Sequence, residues 1–297
     1  MEKIKSYVKL LRIKHWIKNL FVVAPLLFSM RFSYFDSILL SVAGFFSFCF
    51  ISSSIYCIND IIDIEKDKMD PIKSKRPIAS GDVSKNEGII LSLILFLLSF
   101  LILYLFKANY VVYLIILFYF VLNILYSLKI KTYLILDVIS ISLGFVLRVY
   151  AGSKIIGVSS SSYLLLTTFF FSLFLGFEKR RKELDRIKIE PSNIRAVLAK
   201  YETKSLDYMV IASSIFSVMT YSLYTISDDT IARFGTTRLI YSVPFVVYGI
   251  FRYFYDIYSD DKNLLSGDPA EIVFMDKYIQ IDVILWILFI SFVIYKK

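Results

Sequence analysis

Nine runs of mostly apolar residues constrain this chain more than any other feature, at about 19–35, 37–58, 88–107, 109–128, 133–152, 162–177, 207–227, 236–255 and 279–295. A helix needs about 20 such residues to cross the hydrocarbon core of a bilayer. The runs are continuous and lack the period-two alternation of a closed barrel, so they predict helices. Nine helices of that length take up most of the 297 residues and leave little for a separate soluble domain. Composition agrees: 57% of residues are hydrophobic and the mean hydropathy is +0.66. A soluble globule of this length would expose far too much of that surface. A soluble enzyme, a disordered chain and a disulfide scaffold are excluded. Cys49 and Cys57 lie in one apolar run and read as small buried hydrophobes. The first apolar run is too long for a cleavable signal.

The charges set the expected orientation. Of the 34 Lys and Arg, 26 fall in the N-terminal arm and in the connections after runs two, four, six and eight. Seven fall on the opposite side, and Arg148 lies inside a run. Lys and Arg concentrate on the cytoplasmic side of membrane proteins. The expected fold is therefore an all-α integral membrane protein. It has nine transmembrane helices in one bundle, a single domain over residues 1–297, a cytoplasmic N-terminus and a multi-pass position in the cell's inner (plasma) membrane. The net charge of +9 follows from topology and calls for no nucleic-acid partner. Three long cytoplasmic loops are predicted, at about 59–87, 178–206 and 256–278. They hold most of the remaining acids, and charge gathered on one face marks where chemistry is expected.

The loop after the second run begins Asn59-Asp60-Ile61-Ile62-Asp63-Ile64-Glu65-Lys66-Asp67. Asn59, Asp63 and Asp67 are spaced i, i+4, i+8, and Asp60 stands three before Asp63. If the helix continues, these side chains share a face. Like charges so placed repel unless a cation sits among them. Mg²⁺ is held by a few carboxylates together with substrate phosphate oxygens. Asp60, Asp63 and Asp67 are therefore candidate metal ligands and candidate catalytic residues, with Asn59 beside them. Lys73 and Arg76 follow within one short loop, where cations suit a polyphosphate too charged for the metal alone. A solvated charge run and topological anchoring are the plainer readings of the same residues.

The pattern N-D-x-x-D-x-x-x-D, followed by K-x-x-R-P-x-A-x-G, resembles the UbiA superfamily of intramembrane prenyltransferases, whose fold has nine transmembrane helices. Further stretches are similar to its phosphoribosyl-transferring branch, the decaprenyl-phosphate phosphoribosyltransferases. These are Trp16-Ile17-Lys18-Asn19; Tyr126 to Lys129 with Asp137, Gly144 and Arg148; Lys179-Arg180 with Glu183; and Arg252 with Gly267-Asp268-Pro269 and Asp276. The resemblance implies a Mg²⁺-dependent transferase that moves a phosphoribosyl group from phosphoribosyl pyrophosphate to a polyprenyl phosphate. It also implies substrate contacts at Lys18, Asn19, Tyr126, Lys129, Asp137, Lys179, Arg180 and Glu183. Asp137 would bind ribose hydroxyls or pair with Lys129. Glu183 stands i+4 from Lys179 and would pair with it or serve substrate. Arg148 would find a structural partner or a substrate. Arg252 and Asp256 would pair, with the acidic loop that follows as a lid.

One departure bears on the substrate. Superfamily members carry a second aspartate motif after span six, whereas this chain reads Glu178-Lys179-Arg180-Arg181-Lys182-Glu183. Acidic loops hold phosphates through metal, and cationic loops hold them directly. One of each fits a metal-bound diphosphate plus separate monophosphates. An attacking lipid phosphate is already anionic and needs no general base, so the lone His15 has no required role. The alternative is a prenyltransferase that moves a prenyl chain from its diphosphate to an aromatic or other acceptor. A transporter is disfavoured, because polar residues crowd the helix ends and not the midplane.

Overall fold

The computed structural model describes residues 2–189, 198–258 and 276–295. Every element among the described residues is helical. The chain divides into two compact units, one of residues 2–160 with 198–200, the other of 161–189, 201–258 and 276–295.

The first unit opens with α1 (Glu2–Leu11), a 3-10 helix over Ile13–Val22 and a single α-turn, α2 (Ala24–Leu27). Four longer elements follow: α3 (Phe35–Ile62) with its short extension α4 (Ile64–Lys68), α5 (Lys85–Leu105), α6 (Tyr110–Leu128) and α7 (Leu136–Ile155). Helix α5 starts where Ser84 and Glu87 form a capping box, the Glu87 N–H donating to Ser84 Oγ and the Ser84 N–H to Glu87 Oε2. The core gathers Phe48, Ile51, Leu103, Val112, Ile116, Tyr119 and Ala151. Serines draw α3 and α5 together. Ser54 Oγ donates to the Ser92 carbonyl at 2.9 Å, Ser92 Oγ returns to the Ser54 carbonyl at 3.1 Å, and Ser47 Oγ reaches the Ser99 carbonyl at 2.9 Å. Small residues that permit close approach and hydrogen-bond across helices are the usual adhesive inside a bilayer.

The run at 19–35 is not one spanning helix. The chain is 3-10 to Val22, turns through α2 with Pro25 near its start, and leaves helical geometry after Leu27, with Met30 at φ 58°. Proline lacks an N–H and cannot continue the hydrogen-bond ladder. Ten residues is long for a 3-10 helix, and the packing around it explains its persistence. A Cβ on Gly152 would lie 1.9 Å from the Val22 carbonyl oxygen, so α7 meets this segment backbone to backbone.

The second unit holds α8 (Ser162–Ile189), α9 (Thr203–Ile226), α10 (Asp228–Phe234), α11 (Val243–Tyr258) and α12 (Lys277–Tyr295). Thr167 Oγ1 donates to Thr220 Oγ1 at 3.1 Å between α8 and α9. Trp286 Nε1 donates to Tyr221 Oη at 3.1 Å, and Tyr221 Oη pairs with Ser242 Oγ at 2.6 Å.

Among the described residues, α3, α5, α6, α7, α9 and α12 are each long and apolar enough to cross a membrane. A seventh span is formed if α10 and the helical segment from Arg238, bent by 99°, are one broken crossing. Helix α8 encloses the run at 162–177. The predicted loop at 178–206 is corrected over its first part, because α8 continues to Ile189. Glu, Lys, Arg and Leu are strong helix formers. Pairs one turn apart reinforce them: Lys182 with Glu178, Arg181 with Asp185 and Arg180 with Glu183. The loop at 59–87 likewise begins later than expected, since α3 and α4 carry helix to Lys68. Within the predicted loop at 256–278, residues 259–275 lie outside the described residues.

Candidate active site

The aspartate motif sits at the end of α3. Asp60 occupies its last turn and is 2% exposed, while Asp67 lies in α4 and is 4% exposed. The helix does not run straight through the motif as the spacing predicts. It breaks at Asp63, which caps α3 and opens α4 at φ −95°, ψ 10°. The Asp63 N–H still bonds to the Asn59 carbonyl at 3.0 Å, so the break turns the chain without stranding its backbone.

Each carboxylate meets a cation from elsewhere in the unit. Arg76 Nη1 donates to Asp67 Oδ2 at 2.6 Å and to Asp60 Oδ1 at 3.1 Å. Arg12 Nη2 donates to the same Asp60 oxygen. Lys131 Nζ donates to both oxygens of Asp63, at 2.8 and 2.7 Å. Arg12 also lies over the Tyr56 ring at 4.8 Å, which His15 approaches at 5.7 Å. Helix α1 is strapped across this region. Lys3 pairs with Glu87 at 2.5 Å, Tyr7 Oη donates to Glu87 at 3.1 Å and Lys9 Nζ donates to the Lys75 carbonyl at 2.5 Å. The glutamate beside it raises the Lys3 ammonium above its ordinary range.

The carboxylate oxygens of Asp60 and Asp67 converge on a single nitrogen. Hard oxygen donors around one positive centre suit Mg²⁺, so Asp60 and Asp67 are the residues that would hold a divalent ion here. Asp63 is turned to Lys131, and no group of three or more His, Cys, Asp or Glu side chains is gathered as a ligand set among the described residues.

The other predicted residues are spread over both units. In the first unit Asn19 is 1% exposed, and its Oδ1 accepts from Arg148 Nε at 2.8 Å. Arg148 also donates from Nη2 to Tyr119 Oη at 2.6 Å and from Nη1 to the Gly144 carbonyl at 3.0 Å. Arg148 thus has structural partners, all of them neutral. Lys18, Asn59 and Tyr126 are half-buried. Lys73 Nζ pairs with Asp70 at 3.1 Å. Asp137 is fully buried in the first turn of α7, just after Ile135, which carries the strained φ of 66°. Lys129 is exposed. Among the described residues it makes no side-chain bond, and the ammonium of this connection that reaches the motif is Lys131. An apolar cavity of about 350 Å³ elsewhere on this unit is walled by Ile58, Ile89, Leu93, Phe96, Phe120 and the Ser54–Ser92 pair.

In the second unit, Arg180 is 2% exposed and donates to Glu183 Oε2 at 2.6 Å. Lys179 is half-buried. Glu178 is fully buried, accepts from Tyr253 Oη at 3.0 Å and lies 3.1 Å from Lys182 Nζ. Arg252 pairs with Asp256 at 3.2 Å, as its spacing predicts, and with Asp276 at 2.7 Å. Gly267, Asp268 and most of the acidic loop lie outside the described residues. Sequence reasoning missed Arg12 and Lys131, which carry no local signal beyond their charge.

Comparison with known proteins shows the family of the chain. The family model described as the UbiA prenyltransferase family matches residues 20–266. A decaprenyl-phosphate phosphoribosyltransferase of Mycolicibacterium smegmatis is 30% identical over 303 positions, covering 98% of this chain and 93% of its own. One from Corynebacterium glutamicum is 30% identical over 292 positions, covering 97% and 86%. The structure of a UbiA homologue from Archaeoglobus fulgidus bound to DMAPP and Mg²⁺ superposes with a TM-score of 0.71 at 20% identity, covering 98% of this chain and 99% of that one. With several apolar helices of crossing length and this match over most of its length, the chain is a multi-pass membrane transferase that belongs to the UbiA prenyltransferase family.

Proposed function

We propose that this protein transfers the 5-phosphoribosyl group of phosphoribosyl pyrophosphate to a polyprenyl phosphate, with Mg²⁺, releasing pyrophosphate. The observation that carries the reading is the pairing of two features in one chain. One is a carboxylate pair, Asp60 and Asp67, aimed at a common cation position. The other is a run of four cations in α8, Lys179 to Lys182, where a second acidic motif would otherwise stand. Full-length similarity to proteins named for this reaction supports it.

In this reading Asp60 and Asp67, joined by Asp63, hold the metal, and Asn59 orients the motif. When bound, Mg²⁺ stabilises the charge that develops on the departing diphosphate. Lys73 and Arg76 hold diphosphate oxygens. Lys179 and Arg180 hold monophosphates, with Glu183 fixing the Arg180 guanidinium. Lys18, Tyr126 and Lys129 contact substrate and Asp137 binds ribose hydroxyls, whereas Asn19, buried against Arg148, holds the fold and does not touch substrate. An oxygen of the lipid phosphate forms the new bond to the anomeric carbon as the carbon–oxygen bond to pyrophosphate breaks and its electrons leave with pyrophosphate. No proton has to move, so positioning and fixed charge carry the rate. In this reading the protein works as a single multi-pass domain of the inner membrane with its N-terminus and site on the cytoplasmic side, which the gathering of most Lys and Arg on one side supports.

The second reading is transfer of a prenyl chain, favoured by the prenyl diphosphate in the superposed homologue. Purified protein supplied with Mg²⁺, phosphoribosyl pyrophosphate and polyprenyl phosphate is expected to yield a product heavier than the lipid by one phosphoribosyl group. Paired D63A and D67A substitutions are expected to abolish that yield. Turnover of prenyl diphosphate alone, or full activity of the double variant, rejects the assignment.

A further inference from the structure

The described partners of all three motif carboxylates are cations, and they come from three separate segments. Arg12 lies at the hinge between α1 and the 3-10 helix, at φ 51°. Arg76 follows α4, and Lys131 lies in the 3-10 turn Ile130–Thr132 before α7. Three acids face three cations, so this cluster is neutral as it stands. A bare divalent ion entering between Asp60 and Asp67 must displace the Arg76 guanidinium. It must also strand half-buried positive charge beside Asp60, and stranded charge away from water is costly. A divalent ion that brings a diphosphate brings anionic oxygens as well, and those can take up the displaced guanidinium and ammonium groups.

We propose that Arg12, Arg76 and Lys131 are exchangeable counter-ions that exclude a bare divalent ion from the aspartate motif and pass to the phosphates when the ion arrives with a diphosphate. This rests on the metal reading above and deepens it. Arg12 and Lys131 become substrate-binding residues, and metal and diphosphate enter as coupled ligands. Coupling is reciprocal: whatever factor the diphosphate adds to metal affinity, the metal adds to diphosphate affinity. Ordinary structural ion pairs would behave otherwise, because deleting the cation would leave a repelling, poorly organised motif and would gain nothing for the metal.

The test uses full-length protein in detergent, Mn²⁺ as the probe and inorganic pyrophosphate as the diphosphate. Protein-bound Mn²⁺ is read by water proton relaxation and corrected for the metal–pyrophosphate complex. In the natural protein, pyrophosphate is expected to tighten Mn²⁺ about tenfold or more, within the range typical of coupled sites. K131M and R12Q are expected to bind bare Mn²⁺ more tightly and to lose most of that enhancement, while K131R restores it. Two independent variants are used so that one failing to fold leaves the other informative. Equal Mn²⁺ affinity with and without pyrophosphate in the natural protein overturns the proposal. So does unchanged or weakened bare-metal binding in both variants. Absence of Mn²⁺ binding under every condition, matched by D60N plus D67N, defeats the metal reading itself and the proposal with it.

Discussion

Arg148 offers the sharpest energetic test of the fold. It is 6% exposed, and its described hydrogen-bond partners are Asn19, Tyr119 and the Gly144 carbonyl, none of them charged. Phe145 and Tyr119 add ring faces at 5.2 and 4.7 Å. N19L removes the acceptor 2.8 Å from Nε and leaves that donor buried. A hydrogen bond to a charged group contributes about 1.5–3 kcal/mol. The contacts of Asn19 with Cys49 and Ser52, both at 3.4 Å, add little, because sulfur is a weak acceptor and 3.4 Å is long for an O–H···O bond. R148M removes the charge at similar volume. Once the guanidinium is gone, nothing charged remains for Asn19 to satisfy, so the two substitutions should not add. The double-mutant cycle is expected to return a coupling of about 1.5–3 kcal/mol. Unfolding in mixed micelles, followed by Trp fluorescence, measures all four proteins. One of the two tryptophans, Trp16, lies in the 3-10 helix itself and donates to Ser53 Oγ at 3.0 Å, so it reports locally. Neutral hydrogen bonds between membrane helices average about 0.6 kcal/mol. A coupling at or below that value would refute the view that Asn19 solvates a buried charge.

G152A should cost at or above the upper end of the about 1–3 kcal/mol typical of overpacking, because the new methyl meets the Val22 backbone and not a movable side chain; thermal unfolding checks it. Burial pushes the Asp70 carboxyl up, but the Lys73 and Ile72 N–H groups and the Lys73 ammonium outweigh it and hold it below the usual range. A depressed carboxylate pKa stabilises the fold above the unfolded value and stops doing so as pH falls through the folded one. D70N should therefore lower the melting temperature at pH 7, and the gap should close below about pH 4; a constant gap would point to shape and not charge. Raising salt should shrink the stability difference between the natural protein and R12Q, whose ion pair is partly exposed, and leave the N19L difference unchanged.

Much of this was legible from local pattern. The continuous apolar runs announced helices: the run at 37–58 lies within α3, and those at 88–107, 109–128 and 133–152 lie largely within α5, α6 and α7. The acidic pattern located the motif but not its geometry, since the chain breaks at Asp63 and it is Asp60 and Asp67 that converge. What hydropathy cannot register is backbone geometry inside an apolar run. The 3-10 helix and the turn at Pro25 read as a span until the Gly152 contact is seen. Hydropathy also ends where charge begins, which hid the continuation of α8 to Ile189. The partners of the motif were out of reach for a different reason. Arg12 lies 48 positions from Asp60, Lys131 lies 68 from Asp63 and Arg148 lies 129 from Asn19. No local rule connects residues so far apart, and the sequence offers many cations for each role.

Two ways of keeping charge out of lipid stand side by side in the first unit, and they have different consequences. Arg148 is solvated by dipoles: an amide oxygen, a phenol, a carbonyl and ring faces. Such a site has no anion to release, and a guanidinium cannot shed its proton to escape, so removing a partner leaves a charge with nowhere to go. The aspartates are instead neutralised by cations on long side chains, each from a different segment. An ion pair of this kind can trade one partner for another of the same sign at modest cost, because the carboxylate stays compensated throughout. A dipole-solvated charge therefore suits a permanent joint between the 3-10 helix, α6 and α7. A counter-ion cluster suits a place where ligands come and go, and in this unit it lies at the end of α3 where the aspartate motif stands.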